Sequence, residues 1–330
     1  MYRKMRGLSR CLVVSALFLM PLLGVRAEER LRVVATTTQA ADLVRAIGGE
    51  RVALTALMSG GVDPHQYKPT ASDIAAMNAA QAVIYSGLNL EGQFEKVFEA
   101  LGQRMVRTYA LSEPVLQAGF LLEEAHGVLD PHFWFDPRNW MLAAEGLAEL
   151  LAELDAPNAA FYRANAAAYS AQLEALYDWA RSALTDSAIP EAKRVLITSH
   201  DAFRYFGDAF GWRVRGIQGI STVAEASVSD IQAVAELLAA EGIEVIFIES
   251  SVPRATVEAV IAAARARGVE VRLGVRALYS DAMGDPDKFG GTYLEMIVHN
   301  VITILQSFGY KVPPLPARLA LSLPEDFQAR

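Results

Sequence analysis

The chain has 330 residues, 52% of them hydrophobic and 21% charged, with a formal net charge of −8 and a single cysteine. That length exceeds what one core usually fills, so two domains are expected. The acidic balance argues against a nucleic-acid partner, and one cysteine excludes both a disulfide framework and a thiolate metal site.

The first element is a targeting segment. Arg3, Lys4, Arg6 and Arg10 precede an apolar run from Cys11 to Leu23, and Val25-Arg26-Ala27 supplies the small residues of a cleavage site, so residues 1–27 read as a secretory signal peptide. The run is too short to span a membrane, and no later segment is long and uncharged enough to do so. Cys11 lies at the start of the run rather than after it, so it does not read as a lipid-attachment cysteine. Cleavage would leave an exported, still more acidic mature chain, destined for the periplasm.

Residues 28–157 then alternate short β-branched runs with helical patterns: Leu31 to Thr37, Val52 to Leu57 and Ala82 to Tyr85 read as strands. Strands alternating with helices predict parallel sheets under helical cover, an α/β fold. Gly60-Gly61-Val62-Asp63-Pro64-His65 is a strand-exit loop, with Ser72-Asp73 expected to cap the next helix. Asp130-Pro131-His132 repeats the motif before Phe133-Trp134-Phe135, and Asp136-Pro137 starts a helix carrying Leu147, Leu150, Leu151 and Leu154.

A long helix follows, over 158–186. Tyr162, Ala166, Tyr169, Leu173, Leu176, Ala180 and Leu184 recur at steps of three or four and share one face. At 1.5 Å per residue it spans roughly 43 Å, enough for a stiff connector between two lobes. The competing reading is an ordinary helix inside one larger domain. Residues 187–330 form the second α/β lobe, with its own core and strands at Val195 to Thr198, Val245 to Ile248 and Val269 to Leu273.

This lobe supplies Thr198-Ser199-His200 at a strand end and Tyr279-Ser280-Asp281-Ala282-Met283-Gly284 in an acidic loop. His65, His132, His200 and Asp281 are candidate metal ligands. Their intervals are too long for a zinc finger, and imidazole with carboxylate suits Zn²⁺ or Mn²⁺. Two precede the connector and two follow it, which puts the site between the lobes. Asp285 and Asp287 compete with Asp281. Glu249, ending a strand, is either a partner for a ligating imidazole or a loop carboxylate. Asp201 reads as a hydrogen-bond acceptor or a helix cap. His126, in an acidic loop, reads as solvent-exposed or as a loose metal-capturing group, and His299 as a packed helix residue.

Asp-Pro-His-Gln, Asp-Pro-His-Phe-Trp-Phe-Asp, Ser-His-Asp-Ala-Phe, Gly216-Ile217-Gln218-Gly219-Ile220-Ser221-Thr222, Ile248-Glu249-Ser250-Ser251 and Ser280-Asp281-Ala282-Met283-Gly284 occur in this order. The ordered set resembles the zinc/manganese solute-binding proteins of ABC importers over nearly the whole mature chain. By that resemblance His65, His132, His200 and Asp281 match the four ligands of one bound Zn²⁺ or Mn²⁺. It also implies two lobes joined by one rigid helix, a monomer, and a membrane permease as partner.

Two departures place the chain within that family. It lacks the histidine-rich loop of many zinc-specific members, having only His126 there, and it keeps His200 where strongly manganese-selective members often have glutamate. It thus resembles the branch with three histidines and one aspartate. The rivals are a metal-dependent adhesion or structural module and a zinc hydrolase. The hydrolase is disfavoured because four protein donors leave no obligatory position for water and the catalytic motifs are missing, so the expectation is a carrier, not an enzyme.

Overall fold

The computed structural model describes residues 30–123, 127–185 and 189–328. The signal-peptide segment and His126 therefore lie outside the described residues. In chain order the first lobe comprises β1 (Leu31–Ala35), α1 (Thr38–Gly48), β2 (Val52–Ala56), α2 (Ala71–Ala79), β3 (Ala82–Tyr85), α3 (Glu95–Gln103), β4 (Arg107–Ala110), α4 (Glu113–Ala118) and α5 (Pro137–Leu154). The connector is α6 (Ala159–Thr185). Beyond it come β5 (Val195–His200), α7 (Arg204–Phe210), β6 (Arg213–Gln218), α8 (Val228–Glu241), β7 (Val245–Ile246), α9 (Ala255–Arg265), β8 (Arg272–Leu273) and α10 (Tyr293–Ser307).

The first sheet is wholly parallel, in the order β2-β1-β3-β4. In the second lobe β5 pairs with β6 and β7 with β8, both parallel. Phe247 N–H, just after β7, donates to Ile197 O at 2.9 Å and sets the two pairs side by side. Sequence patterning missed β4 and β6. Arg107-Thr108-Tyr109-Ala110 and Arg213-Val214-Arg215 carry charge at the strand start and never form an apolar run.

Helix starts follow local chemistry. Thr37 caps α1, accepting from Ala40 N–H. Asp136 caps α5 by accepting from Arg138 N–H, with Pro137 in the first turn as its fixed φ allows. The cap of α2 is Thr70, not Ser72: Thr70 and Asp73 satisfy each other's backbone N–H in a capping box.

The connector is one uninterrupted helix of 27 residues, about 40 Å long. The seven residues on its expected face are all buried, together with Trp179 and Ala183. It does not link two separate cores, as the sequence pattern suggested. One apolar cluster runs from β1 and α1 through α5, α6 and α7 to α10, taking in Leu196, Phe247 and Leu278 of the second lobe. Smaller cores lie on the outer faces. Val34 and Val83 pack with Met77, Phe94 and Leu101 on one side, and Val195, Ile197 and Ile246 with Val234, Leu238, Val257 and Val260 on the other. Strand alternation explains the split: Val195 and Ile197 face outward to α8 and α9, whereas Leu196 faces the shared core.

Candidate metal centre

The carboxyl ends of both sheets face one cleft. His65 comes from the loop after β2, His132 from the turn leading into α5, His200 is the last residue of β5, and Asp281 lies in the loop between β8 and α10. Their relative exposures are 5%, 0%, 0% and 1%, so all four are buried. The four donor atoms lie within 4.8 Å of one another. Asp281 carboxylate oxygens are 3.1 Å from His200 Nε2, 3.3 Å from His132 Nε2 and 3.8 Å from His65 Nε2. His65 Nε2 and His132 Nε2 are 3.4 Å apart.

An ion with donors at about 2.0–2.2 Å in a tetrahedral arrangement separates them by roughly 3.3–3.6 Å. The observed spacings bracket that range. The donor set and its spacing fit a first-row divalent cation.

The Asp-Pro-His repeats are Asx turns. Asp63 Oδ1 accepts His65 N–H at 2.9 Å, and Asp130 Oδ1 accepts His132 N–H at 3.0 Å. Beyond the turn the two differ. Asp130 Oδ1 also takes the Nδ1 proton of His132 at 2.8 Å, which leaves the Nε2 lone pair facing the cluster. Asp63 Oδ2 instead accepts from Thr222 Oγ1 of the other lobe at 2.5 Å and from Gln66 Nε2 at 2.9 Å.

His200 is fixed as His132 is. Its N–H donates to Glu249 Oε1 at 2.9 Å, and its Nδ1 lies 2.6 Å from Glu249 Oε2. Glu249 thus contacts both the main chain and the ring of His200. Gly216 of β6 lets the strands close behind His200, since a Cβ there would sit 2.3 Å from Asp201 N and 2.5 Å from His200 C.

These contacts set the protonation of the metal-free cluster. Burial opposes charge on His132, but Asp130 and Asp281 outweigh it and push its pKa up to about 9. His200 is likewise raised well above its ordinary value, burial being overcome by Asp281 and Glu249. Burial alone would raise Asp281, yet His200 and His132 hold it well below the usual carboxylate range. His65, whose nearest carboxylate oxygen in the cluster is that of Asp281 at 3.8 Å, is lowered to about 4, mainly by burial, which Asp281 offsets only in part.

The other candidates fall elsewhere. Asp285 pairs with Lys288 Nζ at 2.7 Å and is half exposed, outside the cluster, and Asp287 is exposed. Asp201 is not among the clustered donors. His299 packs in α10 against Tyr279 and Phe327, with Nε2 2.9 Å from Ala277 O, and burial lowers it to about 4. Sequence reasoning assigned no role to Asp130, Thr222, Thr38 or Gln39. For Asp130 the signal was present, since Asp two residues before a ligating histidine can reach both its N–H and its Nδ1.

Residues 33–307 match the model of the family described as zinc-uptake complex component A, periplasmic. The manganese-binding lipoprotein MntA of Bacillus subtilis (strain 168) is 38% identical over 284 residues, covering 86% of this chain and 92% of the relative. The zinc-binding protein TroA of Treponema pallidum (strain Nichols) is 41% identical over 274 residues, covering 83% and 87%. The solved periplasmic zinc-binding protein TroA superposes with a TM-score of 0.81 at 38% identity over 84% of this chain and 99% of its own. Fe(III)-bound YtgA of Chlamydia trachomatis gives 0.77 at 28% identity over 86% and 100%.

Proposed function

The chain belongs to the family of periplasmic zinc-uptake components, and from that premise we propose that it is the solute-binding protein of a metal ABC importer, carrying Zn²⁺ or Mn²⁺ on His65, His132, His200 and Asp281. One observation carries the ligand assignment: two donors from each lobe converge on one buried point, and the two fully buried imidazoles have their far nitrogens occupied by carboxylates of their own lobes. That arrangement turns the Nε2 atoms of His132 and His200 toward Asp281, with His65 Nε2 beside them. The ion is cargo and ties the lobes together, and a membrane permease receives it. The relatives support an extracytoplasmic location, and the basic, apolar N-terminal sequence supports export to the periplasm. No described helix is long and apolar enough to cross a membrane. Membership in a family of solute-binding proteins supports a carrier rather than an enzyme.

The test is elemental analysis of the protein isolated from its native compartment, under zinc limitation and under manganese limitation. One transition metal per chain is expected, with zinc or manganese dominating according to supply. Protein recovered without transition metal under both conditions would remove the proposal. Iron as the sole metal would keep the site and change the cargo.

A further inference from the structure

The loop that carries Asp281 belongs by sequence to the second lobe but is bonded to the first turn of α1. Met283 N–H donates to Thr38 Oγ1 at 2.9 Å. Thr38 Oγ1 in turn donates to Gln39 Oε1 at 2.9 Å, and Gln39 Nε2 donates to Ser280 O at 3.1 Å. The ring has one consistent orientation, because the threonine hydroxyl has one proton to give and a lone pair to accept with, and the amide presents its oxygen to that proton and its nitrogen to a carbonyl. Two adjacent side chains thereby grip the backbone on both sides of Asp281, across more than 240 positions of sequence. Gln39 is 1% and Thr38 9% exposed, so these bonds form away from water, where a partner left unpaired is costly.

The second lobe also holds the loop, through Ser250 Oγ to Ala282 O at 3.3 Å and Ser251 Oγ to Ser280 Oγ at 3.0 Å. Asn300 of α10 adds bonds to both the N–H (2.9 Å) and the carbonyl (2.7 Å) of Tyr279, so what the α1 contacts alone supply is the tie from this loop to the first lobe.

We infer that Thr38 and Gln39 are positioning residues for Asp281, keeping its carboxylate in register with His65 and His132 of the lobe to which α1 belongs. This rests on the metal-carrier reading above. Neither side chain is a ligand. Each acts through the placement of one, which predicts that their effect on metal affinity disappears when Asp281 is gone.

The experiment is a double-mutant cycle on the full chain, read by competition titration with a chromophoric chelator and Zn²⁺. Thr38→Val keeps shape and loses the hydroxyl, and is expected to weaken Zn²⁺ binding about 10–100-fold, as removing a partner of a ligand does. Thr38→Ser should restore affinity to within about threefold of the wild type, the usual context scatter aside. In an Asp281→Ala background, Thr38→Val should change the residual affinity less than twofold. Gln39→Met, read in the same cycle, carries the test should Thr38→Val not fold. An equal loss in both backgrounds, or no loss in the wild-type background, overturns the inference. A wild-type protein that binds no Zn²⁺ would instead remove the metal-carrier reading.

Discussion

The four clustered residues divide into two pairs by what holds them. His132 and His200 are each fixed by a carboxylate of their own lobe, Asp130 and Glu249, which touches both the main-chain N–H and the ring. His65 and Asp281 are held from across the cleft, His65 through Asp63 to Thr222 and Asp281 through Ser280 and Met283 to α1. The first pair is held within one lobe, whereas the second, also held locally by the Asp63 turn and by Ser250 and Ser251, takes part of its support from across the cleft.

The largest contrast should appear on deletion. Each of His65→Ala, His132→Ala, His200→Ala and Asp281→Ala should weaken Zn²⁺ binding by well over the roughly 100-fold that loss of a ligand's partner can cost. His200→Ala should also destabilise the metal-free protein by about 3 kcal/mol, because it leaves Glu249 buried without its imidazole. His65→Ala leaves Asp281 still beside His132 and His200 and should lower the metal-free melting temperature little. Equal melting shifts for the two variants, measured by calorimetry alongside the chelator titration, would erase the distinction.

A second contrast concerns protons. The metal takes neutral imidazole, whereas His132 in the metal-free cluster is protonated below about 9. Each displaced proton therefore costs about tenfold in apparent affinity per pH unit as pH falls below that value. Affinity should fall steadily from pH 9 downward, at pH values well above the ordinary histidine range near 6.5. His65, lowered to about 4, adds no proton in this window. Titration calorimetry in buffers of different ionisation enthalpy should count at least one proton released at pH 7.5. A flat affinity between pH 9 and 7, with no proton release, would contradict the assignment.

Asp130→Asn tests the same-lobe pair more gently. It keeps the shape but weakens the ring contact, and about a 10–100-fold loss of Zn²⁺ affinity is expected, together with a shallower pH profile. The smallest expected effect is Thr222→Val. It removes one hydroxyl from Asp63 across the cleft, worth about 1 kcal/mol or roughly fivefold, and it should appear in the metal off-rate measured by stopped flow. A change in the on-rate alone would show that Thr222 guides entry instead of holding His65.

The four clustered residues, the proposed donor set, were legible in the sequence because each stands in a short local signature: a strand-exit Asp-Pro-His twice, a strand-end Ser-His-Asp, and Ser-Asp-Ala-Met-Gly. The connector was legible from the spacing of Tyr162 through Leu184, since helical periodicity is a property of neighbours. The cross-cleft contacts were not. Thr38 and Thr222 meet partners more than 150 positions away, and nothing in their own surroundings marks a threonine that reaches another lobe. The shared core was hidden for the same reason. Leu196 and Phe247 look like any buried strand residues, and only the packing of α6 and α10 shows that both lobes bury them in one cluster.

The unbroken connector has a mechanical consequence. A helix about 40 Å long, packed along one face and without a hinge, behaves as a lever, not a joint. Tilting such a lever by about 3° moves its far end by roughly 2 Å, close to the length of a zinc–nitrogen bond. A displacement of that size would be enough to part donors contributed by both lobes, with no break needed in α6.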